Sequence, residues 1–331
     1  MKSVFGAVAV VIGSMIGVGF ASGREIASFF AVFGLWGILF CFVAGIVFAF
    51  AVYLILSTDN KNSKAGFLFE KFFVVCSFIV MSTMMAGIFE LDTSFGGGKF
   101  GLAVGIIFCS FVLVVVGLHS LEKLNGFFVP IILLSIIGLF CTTLFSGKSV
   151  GGIWAANSNS GGFFNAFLHM LSYVGMNVLT ITPVLIVVKE KISSKKQAAG
   201  CSVLFGVIIS ILLVFSCLIL QLSGNLDSSM PLLEVANQVS IIFGWVYKGI
   251  IILGLVVTLI SSGYVVRTNL QNIFKNKWIS SAFTFFAGML FSLLGFKKII
   301  DLVYPIIGVI GLAFIAYKFY VFKKCKLCKN C

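Results

Sequence analysis

The stretch GSMIGVGFASGRE, Gly13 to Glu25, sets four glycines, an arginine and a glutamate inside a run otherwise apolar enough to span a bilayer. Glycine weakens a helical ladder, and a charge at the centre of a lipid-facing helix costs at least roughly 2.5 kcal/mol. Peptide groups released inside a bilayer survive only where they are buried in protein or line a cavity. An interruption at Gly17 to Gly23 therefore points to a binding site. A helix ending before the break offers carbonyls at its negative end, and a helix beginning after it offers N–H groups at its positive end. Carbonyls around Gly13 and Ile16 then suit a cation, and the amides of Val18 and Gly19 suit an anionic group. Arg24 and Glu25 fall above the break, facing an outer vestibule, as a gate or a mutual ion pair. The competing reading is close helix packing, since Gly13-x-x-x-Gly17 and Gly19-x-x-x-Gly23 both fit the small-x-x-x-small pattern. Packing alone leaves the two charges unexplained.

A second constellation is Thr258-Leu-Ile-Ser261-Ser262, where residues three and four apart share a helix face, so that the Thr258 carbonyl and the Ser261 and Ser262 hydroxyls converge. Hard oxygens at one point suit a small alkali cation; the alternative is that each hydroxyl bonds back to a carbonyl one turn earlier. A third is SYVGMN, Ser172 to Asn177, followed by Pro183, which again weakens a helix. Other polar groups read as ordinary. Glu90 and Asp92 suit a membrane interface, Met81, Met84 and Met85 suit helix packing, and His119 and His169 lack metal-ligand company. Cys325, Cys328 and Cys331 of the tail KKCKLCKNC read as reduced thiols on a basic segment rather than a metal site.

The elements that must position these residues are membrane helices. Of 331 residues 60% are hydrophobic and 10% charged, far from the roughly 25% charged of a soluble domain. A spanning window finds about ten segments, roughly 4–32, 35–57, 72–93, 100–118, 124–146, 163–188, 200–222, 241–272, 278–295 and 299–321. The Lys after Met1 and the apolar run behind it read as the first span rather than a signal peptide, because the chain turns apolar again directly after Gly23. The net charge of +13 sits in turns, where it reports orientation rather than nucleic-acid binding. Most basic turns fall on one side with both termini, which predicts a multi-pass protein of the cell membrane with cytoplasmic ends. Lys297 and Lys298 run against that bias.

Ser14-Met-Ile-Gly17 and Ser172-Tyr-Val-Gly175 share S-x-[IV]-G, and VPIILLSIIGLF from Val129 parallels YPIIGVIGLAF from Tyr304. The two offsets are similar, which predicts two halves of five spans, about 4–146 and 163–321, with a basic tail at 322–331. Five is odd, so the second half enters the membrane inverted. One transmembrane domain, residues 1–331, results.

GVGFASGRE, LSYVGMN, LEKLNGFFVP and YPIIGVIG together resemble the YkvI-like group of bacterial membrane proteins. That group resembles the amino acid, polyamine and organocation permeases, with the five-plus-five inverted repeat typified by the leucine transporter. The resemblance implies an all-α protein with the first and sixth helices broken. It implies a sodium site from the carbonyls of Gly13, Ile16 and Thr258 and the hydroxyls of Ser261 and Ser262. It further implies a substrate carboxylate at the amides of Val18 and Gly19 beside Phe20, with carbonyls of Ser172 and Tyr173, near Asn177, facing a substrate amine. The chain departs from the family motif at Arg24, where Gln is usual.

These readings predict a secondary transporter of a small zwitterion, an amino acid above all, working by alternating access with sodium or proton coupling. The second class is a membrane sensor or structural protein that keeps the fold and moves nothing. An enzyme is disfavoured: the chain has no G-x-x-x-x-G-K-[ST], no H-E-x-x-H and no nucleophile with a His partner. No cofactor is expected beyond sodium, and the partners are a small solute and lipid.

Overall fold

The computed structural model describes residues 2–58, 64–94, 101–116, 121–145, 162–190, 192, 194–224 and 226–328, and among them it is helical throughout, without a strand. The first span is three pieces, α1 (Lys2–Met15), α2 (Val18–Ala21) and α3 (Arg24–Phe29), and a 3-10 turn leads into α4 (Gly34–Ser57). Then come α5 (Lys64–Ser94), α6 (Gly101–Val116) and α7 (Leu121–Phe145). The second half holds α8 (Gly162–Glu190), α9 (Lys195–Ser223), the short α10 (Pro231–Val239), α11 (Ile241–Phe274) and α12 (Lys277–Ser292). A π-helical turn, Ile299–Val303, opens the last helix, α13 (Tyr304–Cys328).

Among the described residues six stretches are long and apolar enough by themselves to cross a membrane, and shorter apolar helices stand at Gly6–Met15, Gly101–Val116 and Pro130–Phe145. Local chemistry fixes several ends. Ser194 accepts from Gln197 N, Ser240 from Phe243 N and Asn276 from Trp278 N, each closing an N-terminus, and Gly224 ends α9 with φ 76°.

The surface is inverted relative to a soluble domain. Phe42, Ile46, Phe50, Val203, Val207, Ile211, Phe286 and Leu290 are exposed, while Arg24, Glu25, Asn177, Gln221 and Lys318 are buried. Lipid accepts the first set, and helix interiors must supply partners for the second. Gln221, for example, donates to the carbonyls of Ala31 (3.2 Å) and Gly34 (2.8 Å) where the first span turns into α4.

α1 packs on α7, α8 and α9; α8 packs on α13, α1 and α4. α4 lies against α9, and α5 against α11. α7 touches α9 as α13 touches α4, and α6 touches α11 as α12 touches α5.

The first helix is interrupted at Ile16 and Gly17, but the expected break in the sixth span is absent: α8 runs unbroken from Gly162 through Gly175 to Glu190. The reason is packing against α13. A Cβ on Gly175 would sit 2.9 Å from Leu312 N and closer still to the Gly308 carbonyl, and Gly311 faces Gly175 in turn. The glycines of α8 and α13 let two backbones meet, the small-residue packing of membrane helices. Pro183 stands inside α8 and withdraws one ladder donor without ending the helix.

Candidate functional site

At the break, Gly17 N donates to Met15 O (2.8 Å), so the bond that a continuous helix would send to the Gly13 carbonyl is diverted. Ile16 N still reaches Ile12 O at 2.8 Å, and Ala21 N reaches Gly17 O at 3.0 Å, which starts α2. Two residues later the chain bends again at Gly23, whose φ of 82° is left-handed. The carbonyls freed there are taken by the second half: Ala21 O accepts from Tyr247 Oη (2.8 Å) and Ser22 O from Leu232 N (2.9 Å). The second break is thus tied off by the second half.

Gly17 faces α11, with a Cβ there 4.0 Å from Thr258 Cγ2. Beside the break lies a cavity of about 120 Å³ lined by Gly13 and Ser14 of α1, Ser77 of α5, Thr180 and Pro183 of α8, and Thr258, Ser261 and Ser262 of α11. Four expected cation residues, Gly13, Thr258, Ser261 and Ser262, thus meet in one hollow, and Ile16 lies outside its lining. Ser14, Ser77 and Thr180 were not singled out from the sequence; Ser14 sat inside the motif, but Ser77 and Thr180 carry no local signal. Ser261 donates to Val257 O (2.5 Å), Ser14 to Val11 O (2.7 Å), Ser77 to Phe73 O (2.9 Å) and Thr180 to Asn177 O (2.8 Å). Back-bonding and ligation are compatible here, because a hydroxyl that gives its proton to a carbonyl keeps lone pairs for a cation. The hollow thus sets hydroxyls of four helices among the apolar side chains of Val80, Pro183, Val184 and Val265. Two larger hollows are about 450 Å³ between α4 and α9, with an apolar lining broken only by Ser210, and about 580 Å³ between α5, α11 and α12, where Glu70, Lys71 and Asn269 join apolar side chains.

The residues expected to hold a substrate amine are placed otherwise. Ser172 donates to Pro305 O (3.0 Å) and its carbonyl abuts Gly308, so it serves the α8–α13 contact. The Tyr173 carbonyl accepts from Asn177 Nδ2 at 3.0 Å. The Tyr173 ring is fully buried between Phe29, Phe30 and Phe48, and its hydroxyl has no partner. Phe20 is fully buried beside the break.

Arg24 and Glu25 do not pair with each other. Arg24 Nε and Nη2 hold Asp301 Oδ1 (3.1 Å) and Oδ2 (2.5 Å), and Nη1 reaches the carbonyls of Leu226 (2.8 Å) and Ser228 (3.2 Å). The guanidinium fork thereby clamps the first span to the start of the last one and to the loop before α10. Consecutive helical residues diverge by about 100°, which is why Glu25 turns the other way. It folds back onto Gly19, where a Cβ would lie 2.6 Å from Glu25 Cδ. The site expected to receive a ligand carboxylate at Gly19 therefore already has a carboxyl group beside it.

His169 lies edge-on to Phe29 and Phe33, and Met81, Met84 and Met85 are core. His119, Cys331 and the side chains of Cys325 and Cys328 lie outside the described residues.

No family model matches the chain. It is 25% identical over 320 residues to the "uncharacterized membrane protein YkvI" of Bacillus subtilis, covering 90% of each chain. It is 23% identical over 317 residues to the "uncharacterized protein YyaD" of the same organism, covering 90% of this chain and 91% of that one. Among solved structures it superposes on Mhp1, a nucleobase-cation-symport-1 family transporter with bromovinylhydantoin bound, with TM-score 0.61 and 16% identity, over 92% of this chain and 74% of that one. The manganese transporter of Eremococcus coleocola gives TM-score 0.54 and 11% identity, over 96% and 78% of the two chains. At these identities the superpositions speak for the fold alone. The chain is a membrane protein similar over nearly its whole length to YkvI and YyaD, and it is built on a transporter fold.

Proposed function

We propose that the protein is a secondary transporter of a small zwitterionic solute, an amino acid in the first instance, working by alternating access with sodium or proton coupling in the cell membrane with both termini cytoplasmic. The observation that carries the reading is the first-helix break at Ile16 and Gly17, opening beside a cavity that gathers hydroxyls from four helices. An interrupted helix next to an oxygen-lined hollow is the arrangement by which transporters hold ion and substrate near mid-membrane. The helix contacts support a five-plus-five inverted repeat. Exchanging α1, α4, α5, α6 and α7 with α8, α9, α11, α12 and α13 turns the contact α1–α7 into α8–α13, α1–α9 into α8–α4, α7–α9 into α13–α4 and α6–α11 into α12–α5, all of which are present.

In the sodium-coupled form of this reading Gly13, Ile16 and Thr258 offer carbonyls and Ser261 and Ser262 offer hydroxyls to the ion; in either form Val18 and Gly19 receive the substrate's anionic end beside Phe20. Because α8 is continuous, the substrate's other end is met by side chains of α8 rather than by freed carbonyls. Arg24 and Asp301 form the gate on the side away from the termini. A thermal-shift screen of amino acids with and without sodium, followed by counterflow in proteoliposomes, tests this. A ligand at 100 times its Kd stabilises the folded state by about 2.7 kcal/mol. Stabilisation with flux supports the transporter; binding without flux under any ion gradient transfers the case to a sensor.

A further inference from the structure

Glu25 is 94% buried, the complement of 6% exposure, and its Oε2 has no hydrogen-bond partner. Its carboxyl lies over Gly19, the residue at which the substrate's anionic end is placed above. Tyr173 of α8, fully buried, packs its ring on Phe29 and Phe30 of the same stretch. Of the charged groups on the elements packed around α3, Lys189 and Glu190 close α8, where Lys189 holds the Thr58 carbonyl, and Lys195 and Lys196 open α9. Arg24 is turned away to Asp301, and Glu234 of α10 accepts from the Ser228 hydroxyl. His169 and Tyr173 stand on α8, Cys217 on α9, and Asp301 on the π turn. The donors of Arg24 go to Asp301 and to two carbonyls.

A buried carboxylate whose oxygen lacks a protein partner is costly in its charged form. Glu25 lies against Gly19, and a proton adds no volume to that contact. We propose that Glu25 is the proton-carrying group of the transporter, a neutral acid in this closed state. The inference rests on the transporter reading above and names its coupling ion. When the Arg24–Asp301 clamp parts, water reaches the carboxyl; the O–H bond breaks, the proton bonds to a water oxygen to give hydronium, and the electron pair stays on the carboxylate. Reprotonation is the reverse. The neutral acid also explains coupling. Once the carboxyl has moved off Gly19 in the open state, its O–H donates to a substrate carboxylate held there, while the ionised form repels that carboxylate, so proton and substrate are taken up together.

The test has two arms. Infrared spectra of the purified protein, with and without 13C-labelled glutamate, are titrated with pH. A protonated glutamic-acid C=O band that persists at neutral pH in wild type, shifts on labelling and is lost in Glu25→Gln supports the proposal. Absence of that band in wild type overturns it, whether or not the variant folds. In proteoliposomes loaded with radiolabelled proteinogenic amino acids, wild-type counterflow reports on the transporter reading. Accumulation driven by an outside-acid pH gradient in sodium-free buffer reports on Glu25. Counterflow without pH-driven accumulation overturns the proton proposal and leaves the transporter standing; loss of pH-driven accumulation in Glu25→Gln, with partial return in Glu25→Asp, supports it. A band without counterflow in wild type supports the protonated acid and sinks the transporter reading instead.

Discussion

Removing Arg24 should destabilise the closed protein less than removing its partner, and the two losses should not add. Breaking a buried ion pair from one side costs about 3–5 kcal/mol, chiefly because the remaining charge is stranded. Arg24→Met strands Asp301, but that side chain is 26% exposed, so water tempers the loss to about 2–3 kcal/mol. Two carbonyls, Leu226 O and Ser228 O, also lose a donor near solvent, which adds little. Asp301→Leu strands a guanidinium whose side chain is 7% exposed, which puts it at the upper end, about 3–4 kcal/mol. In the double variant neither charge is stranded, so the total should fall short of the sum by about 2 kcal/mol. Denaturant midpoints in detergent micelles for the four proteins of the cycle give this coupling directly. Losses that add within error would show that the clamp contributes nothing as a pair, and the gate would have to be sought elsewhere.

Gly175→Ala should lower the thermal midpoint, since its Cβ meets backbone of α13 and overpacking costs about 1–3 kcal/mol; Gly200→Ala on α9, which meets nothing within 4 Å, should be neutral or gain up to about 1 kcal/mol. Equal effects would return Gly175 to the role of a helix breaker. Replacing Ser261 and Ser262 together with Ala removes two hydroxyls from the cavity while leaving their helix intact. Any sodium-induced thermal shift should disappear with them, and an unchanged shift would remove both from the ion site.

The limits of sequence reading are visible in two glycines. Ser14-x-x-Gly17 and Ser172-x-x-Gly175 are the same short pattern, yet only the first stands at a break. What separates them is distant: Gly175 is backed by Gly308 and Gly311, and Ser172 donates to Pro305, 133 residues away. A local pattern states that backbone is accessible, and the neighbour decides whether another helix or a ligand uses it. Arg24 teaches the same lesson. Its charge marked it as functional, but its partner stands 277 residues later, so the adjacent Glu25 was the natural wrong choice. The α11 hydroxyls were legible because three-residue spacing is itself a statement about one helix face. Ser77 and Thr180 look like any other membrane-helix hydroxyl until the fold brings them to the same hollow. Span positions were the most legible feature, because bilayer thickness and hydropathy act on each segment independently of its partners.

The last span is fastened to the first half at both ends, and this makes the alternating motion testable without a substrate. At one end Asp301 is held by Arg24; 17 residues on, or roughly 25 Å along a helix, Lys318 Nζ lies 3.4 Å from Thr58 Oγ1 at the end of α4, whose carbonyl also accepts from Lys189 Nζ (2.8 Å). A two-state carrier must release one fastening while keeping the other, so weakening either should shift the population toward the state open at that end. Arg24→Met should therefore raise amide hydrogen exchange in 22–30 and 226–236 while slowing it in 54–58. Lys318→Met should do the reverse. If both variants speed exchange at both ends, the fastenings contribute only general stability, and the rocking of the last span against the first is refuted.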